Sequence, residues 1–137
     1  MPLSEIGKIY SKAAKIKLAV FDFDGVFTDN HVIVSEDGSE SVICSRSDGL
    51  GLEMLRKAAI KTLVISTEKN SVVSKRCKKL GIRCIQSCED KEEILKKETS
   101  RLSIALSEVS YMGNDINDAK CLEIVGFPVC VFDAYPP

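Results

Sequence analysis

The chain has 137 residues, 45% hydrophobic and 28% charged, an ordinary globular balance in a length that can bury roughly two-thirds of the unfolded surface. Its 19 basic and 20 acidic residues leave a net charge of −1, which excludes a global attraction to nucleic acid or to anionic membranes, so an anionic ligand must be captured locally. The six cysteines (Cys44, Cys77, Cys84, Cys88, Cys121 and Cys130) lie in apolar runs behind no signal-peptide pattern, and no apolar run approaches the ~20 residues of a membrane helix; reduced core thiols in a cytoplasmic protein are expected.

Residues 4–15 have the spacing of a short amphipathic helix with Ile6, Ile9, Tyr10 and Ala13 on one face. Leu18-Ala19-Val20 then predicts a buried strand, ending in Asp22 and Asp24 with Gly25 directly behind. Val32-Ile33-Val34 and Ser41-Val42-Ile43-Cys44 flank an Asp37-Gly38 turn and predict a hairpin over about 30–45, placed to fold over the aspartates as a flap. From Asp48, an expected N-cap, Leu50, Leu52, Met54, Leu55 and Ala58 take up helical spacing, and Met54 and Met112 fit core packing. Thr62–Ile65 is a second strand, 69–80 a helix stopped by Gly81, Ile82–Ile85 a third strand and 89–102 a charged helix. Val109–Met112 is the fourth strand, a helix runs through Ala119, Leu122 and Val125, and 129–132 makes a fifth strand before the closing 133–137. Strands alternating with helices at crossover lengths predict an α/β fold, Rossmann-like and three-layered, with a mainly parallel sheet in a single domain over 1–137.

In a parallel sheet the carboxyl ends of the strands share one edge, and ligands bind outside that edge. The first, second and fourth strands end in Asp22/Asp24, Ser66/Thr67 and Asn114/Asp115/Asp118, so groups nearly a hundred positions apart are brought to one pocket. Two clustered carboxylates repel unless a cation lies between them, and Mg²⁺, bound through a few oxygens and water, suits such a pair. Lys91, at the start of the charged helix, belongs to the same edge. His31, the single histidine, fits a solvated loop, and the basic run Lys75–Lys79 lacks interleaved aromatics and fits a solvated helix face.

The segments D-F-D-G-V-F-T-D at 22–29, S-D-G-L-G at 47–51, V-I-S-T-E-K at 64–69, E-D-K at 89–91 and Y-M-G-N-D-I-N-D-A-K at 111–120 resemble, in this order, the haloacid dehalogenase superfamily of phosphotransferases. The resemblance spans 18 to 135. It is greatest to the small subfamily that dephosphorylates 3-deoxy-octulosonate or related nonulosonate phosphates, a domain also found joined to acylneuraminate cytidylyltransferases. It implies Asp22 as a nucleophile forming an aspartyl-phosphate and Asp24 as the acid and base whose carbonyl reaches the metal. It further implies Ser66 and Lys91 at the phosphoryl group, Gly25, Ser47, Thr67 and Lys91 in substrate binding, and a Mg²⁺ site of Asp22, Asp24, Asn114 and Asp115 with Asp118 behind it. A sugar phosphate as substrate and a homo-oligomer, a tetramer in the family, are implied as well; no nucleic-acid or membrane partner is.

Three departures from the family pattern stand out. Asn114 occupies the place of an aspartate and brings an oxygen without a charge, Thr67 that of a glycine, and Ser47 that of an arginine. Members of the group continue into a further helix and a tail rich in glycine and arginine, whereas this sequence ends at Pro137. Asn114 is shared with copies attached to cytidylyltransferases, so an oligomerisation domain with a weakened metal site is the alternative to an active phosphatase. A receiver-like phosphoacceptor domain fits the D-x-D-G and late G-N-D-x-x-D pattern less well.

Overall fold

The apolar run ahead of Asp22 forms strand β1, Leu18–Phe21, whose first three residues are buried. The computed structural model describes residues 1–136; the last position of the expected closing segment, Pro137, lies outside the described residues. Helix α1 (Leu3–Ala13) precedes β1, and the hairpin strands β2 (Ile33–Val34) and β3 (Glu40–Ser41) follow it. Then come α2 (Ser47–Lys57), β4 (Lys61–Ile65), α3 (Val72–Leu80), β5 (Arg83–Ile85), α4 (Lys91–Leu102), β6 (Val109–Gly113), α5 (Ala119–Ile124) and β7 (Phe127–Cys130). Outside the hairpin the strands form one five-stranded sheet in the order β5-β4-β1-β6-β7, with every pairing parallel. The expected α/β architecture with a small antiparallel hairpin is therefore the observed one.

Alternation along the strands divides the core in two. Leu18 and Val20 of β1, Leu63 and Ile65 of β4, and Val109 and Tyr111 of β6 join Leu95 of α4 and Cys121 of α5 on one face. On the other face Val64 packs with Phe23, Phe27, Leu52 of α2, and Val73 and Cys77 of α3. Asp22 continues the parity of Leu18 and Val20, which directs it to the α4 face.

Several expected details shift. Helix α2 starts at Ser47, Arg46 holds the N-cap position without a side-chain bond, and Asp48 lies inside the first turn rather than capping it. Leu50 and Met54 are 72% and 71% exposed, because only the stripe through Leu52 and Leu55 faces the sheet; they are not core. The last strand comes two residues earlier than predicted, at 127–130, since its register pairs Ser110 with Phe127. Cys130 is exposed, unlike the buried Cys77, Cys88 and Cys121, and no residue of α1 is buried. Among the described residues no helix is long and apolar enough to cross a membrane.

Candidate active site

The carboxyl edge is drawn together first by backbone. The Asp22 N–H donates to the Met112 carbonyl at 2.9 Å, carrying the β1–β6 pairing one step past the strand and setting the first aspartate beside the loop that follows β6. The chain then turns tightly, with Phe27 N–H on the Phe23 carbonyl at 2.8 Å and the Thr28 hydroxyl accepting from Gly25 N–H at 3.0 Å. Gly25 has φ +78°, and a Cβ built on it would stand 1.9 Å from Asn114 Nδ2. Only glycine permits both that dihedral and so close an approach.

Asp118 is the hub. It is fully buried, and its Oδ1 takes the Lys91 ammonium at 2.7 Å and the Tyr111 hydroxyl at 2.7 Å. Its Oδ2 accepts the Asn114 and Asp115 backbone N–H groups at 3.0 and 3.2 Å. A carboxylate with four donors shapes the whole 113–118 loop, and the approach is tight enough that a Cβ on Gly113 would meet the Asp118 side chain at 2.6 Å. Burial pushes the Asp118 carboxyl up, but the hydrogen bonds and charge of Lys91, with Tyr111 and the Asn114 N–H, hold it below the usual carboxylate range.

Lys91, 4% exposed, reaches Asp22 Oδ1 at 2.9 Å as well as Asp118. It sits there because Asp90 caps α4, accepting from Glu93 N–H at 3.0 Å, so that the first helical residue points back over the sheet edge. Burial lowers the ammonium's proton affinity, yet the two carboxylates outweigh it and keep Lys91 above its ordinary value. Asp22 is 6% exposed, and its Oδ1 also accepts the Phe23 N–H at 2.7 Å. Burial pushes its carboxyl up to about 6, Lys91 pulls against that, and the nearby Asp118 charge adds to it. Asp24 is half-buried, and its carboxyl is raised by burial first and then by the charge of Glu68, against a lowering by Lys91.

Ser66 is 1% exposed, at the end of β4. Its hydroxyl oxygen accepts the Glu68 N–H at 3.1 Å, and its carbonyl accepts from the Cys88 N–H and thiol, leaving the hydroxyl proton free to be donated. Thr67 and Ser47 are exposed and make no hydrogen bond to this cluster among the described residues. Asp115 is exposed, and its Oδ1 accepts the neighbouring Ile116 N–H at 2.6 Å. His31 is exposed, with Nδ1 at 2.9 Å from the Asp29 carbonyl oxygen. The motifs alone give Tyr111 no role, although a tyrosine at a core-facing strand position seven residues before an acid is a signal that points to one.

Among the described residues no three His, Cys, Asp or Glu side chains gather in an arrangement that could hold a metal ion. The donors that fit a cation are of another kind. Asn114 Oδ1 is buried and has no hydrogen-bond partner among the described residues, which costs about 1–3 kcal/mol when nothing compensates it. Such an oxygen, on a side chain packed against Gly25 next to Asp24, suits a hard cation, which takes amide and carbonyl oxygens with carboxylates. Beside Asp24 a cleft of about 250 Å³ opens between the hairpin and the start of α3, lined by Asn30, Glu40, Glu68 and Asn70 among others.

No protein-family model matches the chain. It is 31% identical over 129 residues to a 3-deoxy-D-manno-octulosonate 8-phosphate phosphatase of Escherichia coli, over 93% of this chain and 69% of that one. The structure of the phosphatase of that name from Moraxella catarrhalis, in complex with a magnesium ion, a phosphate ion and a KDO molecule, aligns with TM-score 0.90 and 35% identity over 95% of this chain and 75% of that one. The cobalt-bound form of the deoxy-D-mannose-octulosonate 8-phosphate phosphatase of Haemophilus influenzae aligns with TM-score 0.85 and 27% identity, over 90% and 73% of the two chains.

Proposed function

The chain belongs to the haloacid dehalogenase superfamily, in its 3-deoxy-D-manno-octulosonate 8-phosphate phosphatase-like subfamily of hydrolytic phosphatases, and from that membership we propose a Mg²⁺-dependent phosphomonoesterase acting on an octulosonate or nonulosonate phosphate through an aspartyl-phosphate. The observation that carries the reading is the buried Asp22–Lys91–Asp118 triad beside the unpartnered Asn114 oxygen. A lysine held between two carboxylates keeps Asp22 oriented through one oxygen, which leaves the carboxylate's other lone pairs for phosphorus.

In the first step an Asp22 oxygen forms a bond to phosphorus while the bond from phosphorus to the sugar oxygen breaks, and Asp24 delivers its proton to that oxygen. In the second, Asp24 takes a proton from water as the water oxygen attacks phosphorus, which releases inorganic phosphate and restores Asp22. Burial and the charge of Glu68 raise the Asp24 carboxyl, the direction that favours its giving and taking a proton. Ser66 donates its free hydroxyl proton to a phosphoryl oxygen, and Lys91 offsets charge next to the nucleophile. Asp22, the Asp24 carbonyl and Asn114 would hold the cation, whose charge allows a dianionic phosphate to approach a carboxylate. The family's tendency to assemble and the exposed apolar residues of the hairpin segment, Val32, Ile33, Val34 and Ile43, support a homo-oligomer.

A panel of sugar phosphates assayed with millimolar Mg²⁺ and again with EDTA tests the reading. Keto-sugar phosphates are expected to exceed p-nitrophenyl phosphate in kcat/KM by about tenfold or more, as contacts to a specific leaving group allow, with EDTA abolishing both. Absence of turnover on every monoester would overturn it. Asn114→Asp adds a charge where the orphaned oxygen now lies, and it is expected to shift the Mg²⁺ midpoint of activity about tenfold lower. The same variant should melt at a lower temperature than wild type without metal, because the new carboxylate is then buried unpaired; an unchanged midpoint and melt would remove Asn114 from the proposed metal site.

A further inference from the structure

At the amino-terminal edge of the sheet, opposite Asp22, lies a cavity of about 520 Å³, within the range of small-molecule sites. Its walls carry Arg56 near the end of α2, Lys61 opening β4, Arg83 opening β5 and Arg101 in the last turn of α4, with Glu98 as the one acidic lining residue. Four cations against one carboxylate leave a local charge of +3, in a chain whose total is −1.

Glu98 does not neutralise this surplus from a free position. Its side chain is 10% exposed and is shared by two guanidiniums: Arg83 holds it through both terminal nitrogens, with Nη2–Oε1 at 3.1 Å, and Arg101 through Nε at 3.1 Å and Nη2 at 2.9 Å. Each guanidinium has five donors, so both keep N–H groups to spare while the buried carboxylate fixes their position. The side-chain hydrogen bond of Arg56 goes to the Leu80 carbonyl at 3.4 Å, and Lys61 has no ion-pair partner among the described residues. Helices α2, α3 and α4 all end at this edge, and their C-termini bring about half a negative charge each, roughly half the surplus. Compensation of helix ends thus explains part of the basic character, Glu98 offsets part of the charge on Arg83 and Arg101, and Lys61 at the start of β4 is left with neither. Beneath the charges Leu18 and Leu63 form an apolar floor.

We propose that this cavity is an anion site separate from the phosphatase centre, taking a small molecule with at least two negative charges, a phosphate or polyphosphate ester whose uncharged part lies on the leucine floor. Two charges match the roughly +1.5 that remains after the helix ends are counted better than one charge does, and a cavity of about 520 Å³ has the size of a small-molecule site.

Amide NMR of the full chain, titrated with inorganic pyrophosphate in EDTA at constant ionic strength and with acetate as the singly charged control, tests this. Expected are saturable shifts at residues 56–61, 81–83 and 98–102, a dissociation constant below about 1 mM, and no saturation with acetate. The paired substitution Arg56→Ala and Lys61→Ala, which breaks no buried ion pair, should weaken binding at least about tenfold, and Arg56→Lys with Lys61→Arg should retain it. Shifts confined to the surroundings of Asp22 and Ser66, equal response to acetate, or unchanged affinity in the alanine pair would each overturn the proposal.

Discussion

Asp22→Asn is expected to lower turnover of p-nitrophenyl phosphate and sugar phosphates by on the order of a thousandfold or more, as loss of a covalent nucleophile does, with the fold retained. The isostere keeps an oxygen for the Phe23 N–H and for Lys91, while Asp118 continues to neutralise the ammonium. Stability should move the other way from activity. The folded carboxyl of Asp22 sits at about 6, above its ordinary 3.8, so its favourable contribution is present below 3.8 and is lost as pH rises through 6. Without metal, the asparagine variant should therefore melt above wild type at pH 7, and the difference should close as pH falls toward 4. Melting curves in EDTA across that range, together with activity at saturating Mg²⁺, check both halves. Wild-type rates in the variant would remove Asp22 from the nucleophile's role.

Lys91→Met is expected to cost both activity and about 3–5 kcal/mol of stability, since it leaves two buried carboxylates facing each other without their shared cation. For a chain of this size that is a fall in Tm of roughly 10–20 °C. Lys96→Met and Lys97→Met on the same helix supply the contrast, because each removes only an exposed pair with Glu92 or Glu93 and should change stability by about 0.5 kcal/mol or less. Adding Asp118→Asn to Lys91→Met removes one of the stranded charges and should recover part of the lost stability without recovering turnover. Equal melts for the Lys91 and Lys96 variants would mean that the triad is not what stabilises this edge.

The α/β alternation was legible because strand and helix impose different periods on apolar residues, and in β1, β4 and β6 those periods agree with the lengths of the elements. Boundaries were less so. Asp48 looks like an N-cap by type, but the helix starts two residues earlier than that cap implies, and the spacing of Leu50 and Met54 does not by itself say which stripe of α2 meets the sheet. At the site, residue types and order placed Asp22, Ser66, Lys91 and the 113–118 loop on one edge. Ser47, Thr67 and Asp115 share those motifs and are nevertheless exposed, since a motif names neighbours in sequence and not the direction of a side chain.

What sequence alone determined here is the order of the elements and the edge at which the polar strand ends meet, because both follow from periodicity and from the parallel connection of strands through helices. Tertiary structure decided which groups touch. Lys91 chooses two carboxylates, Tyr111 serves Asp118, and Asn114 sets its amide nitrogen against Gly25 while its oxygen stays bare, because those contacts depend on the close placement of elements that are distant in the chain. The arginines of α2, β5 and α4 likewise share a cavity only after the sheet brings three helix ends to its far edge, since charges scattered from 56 to 101 have no common pattern until packing supplies one.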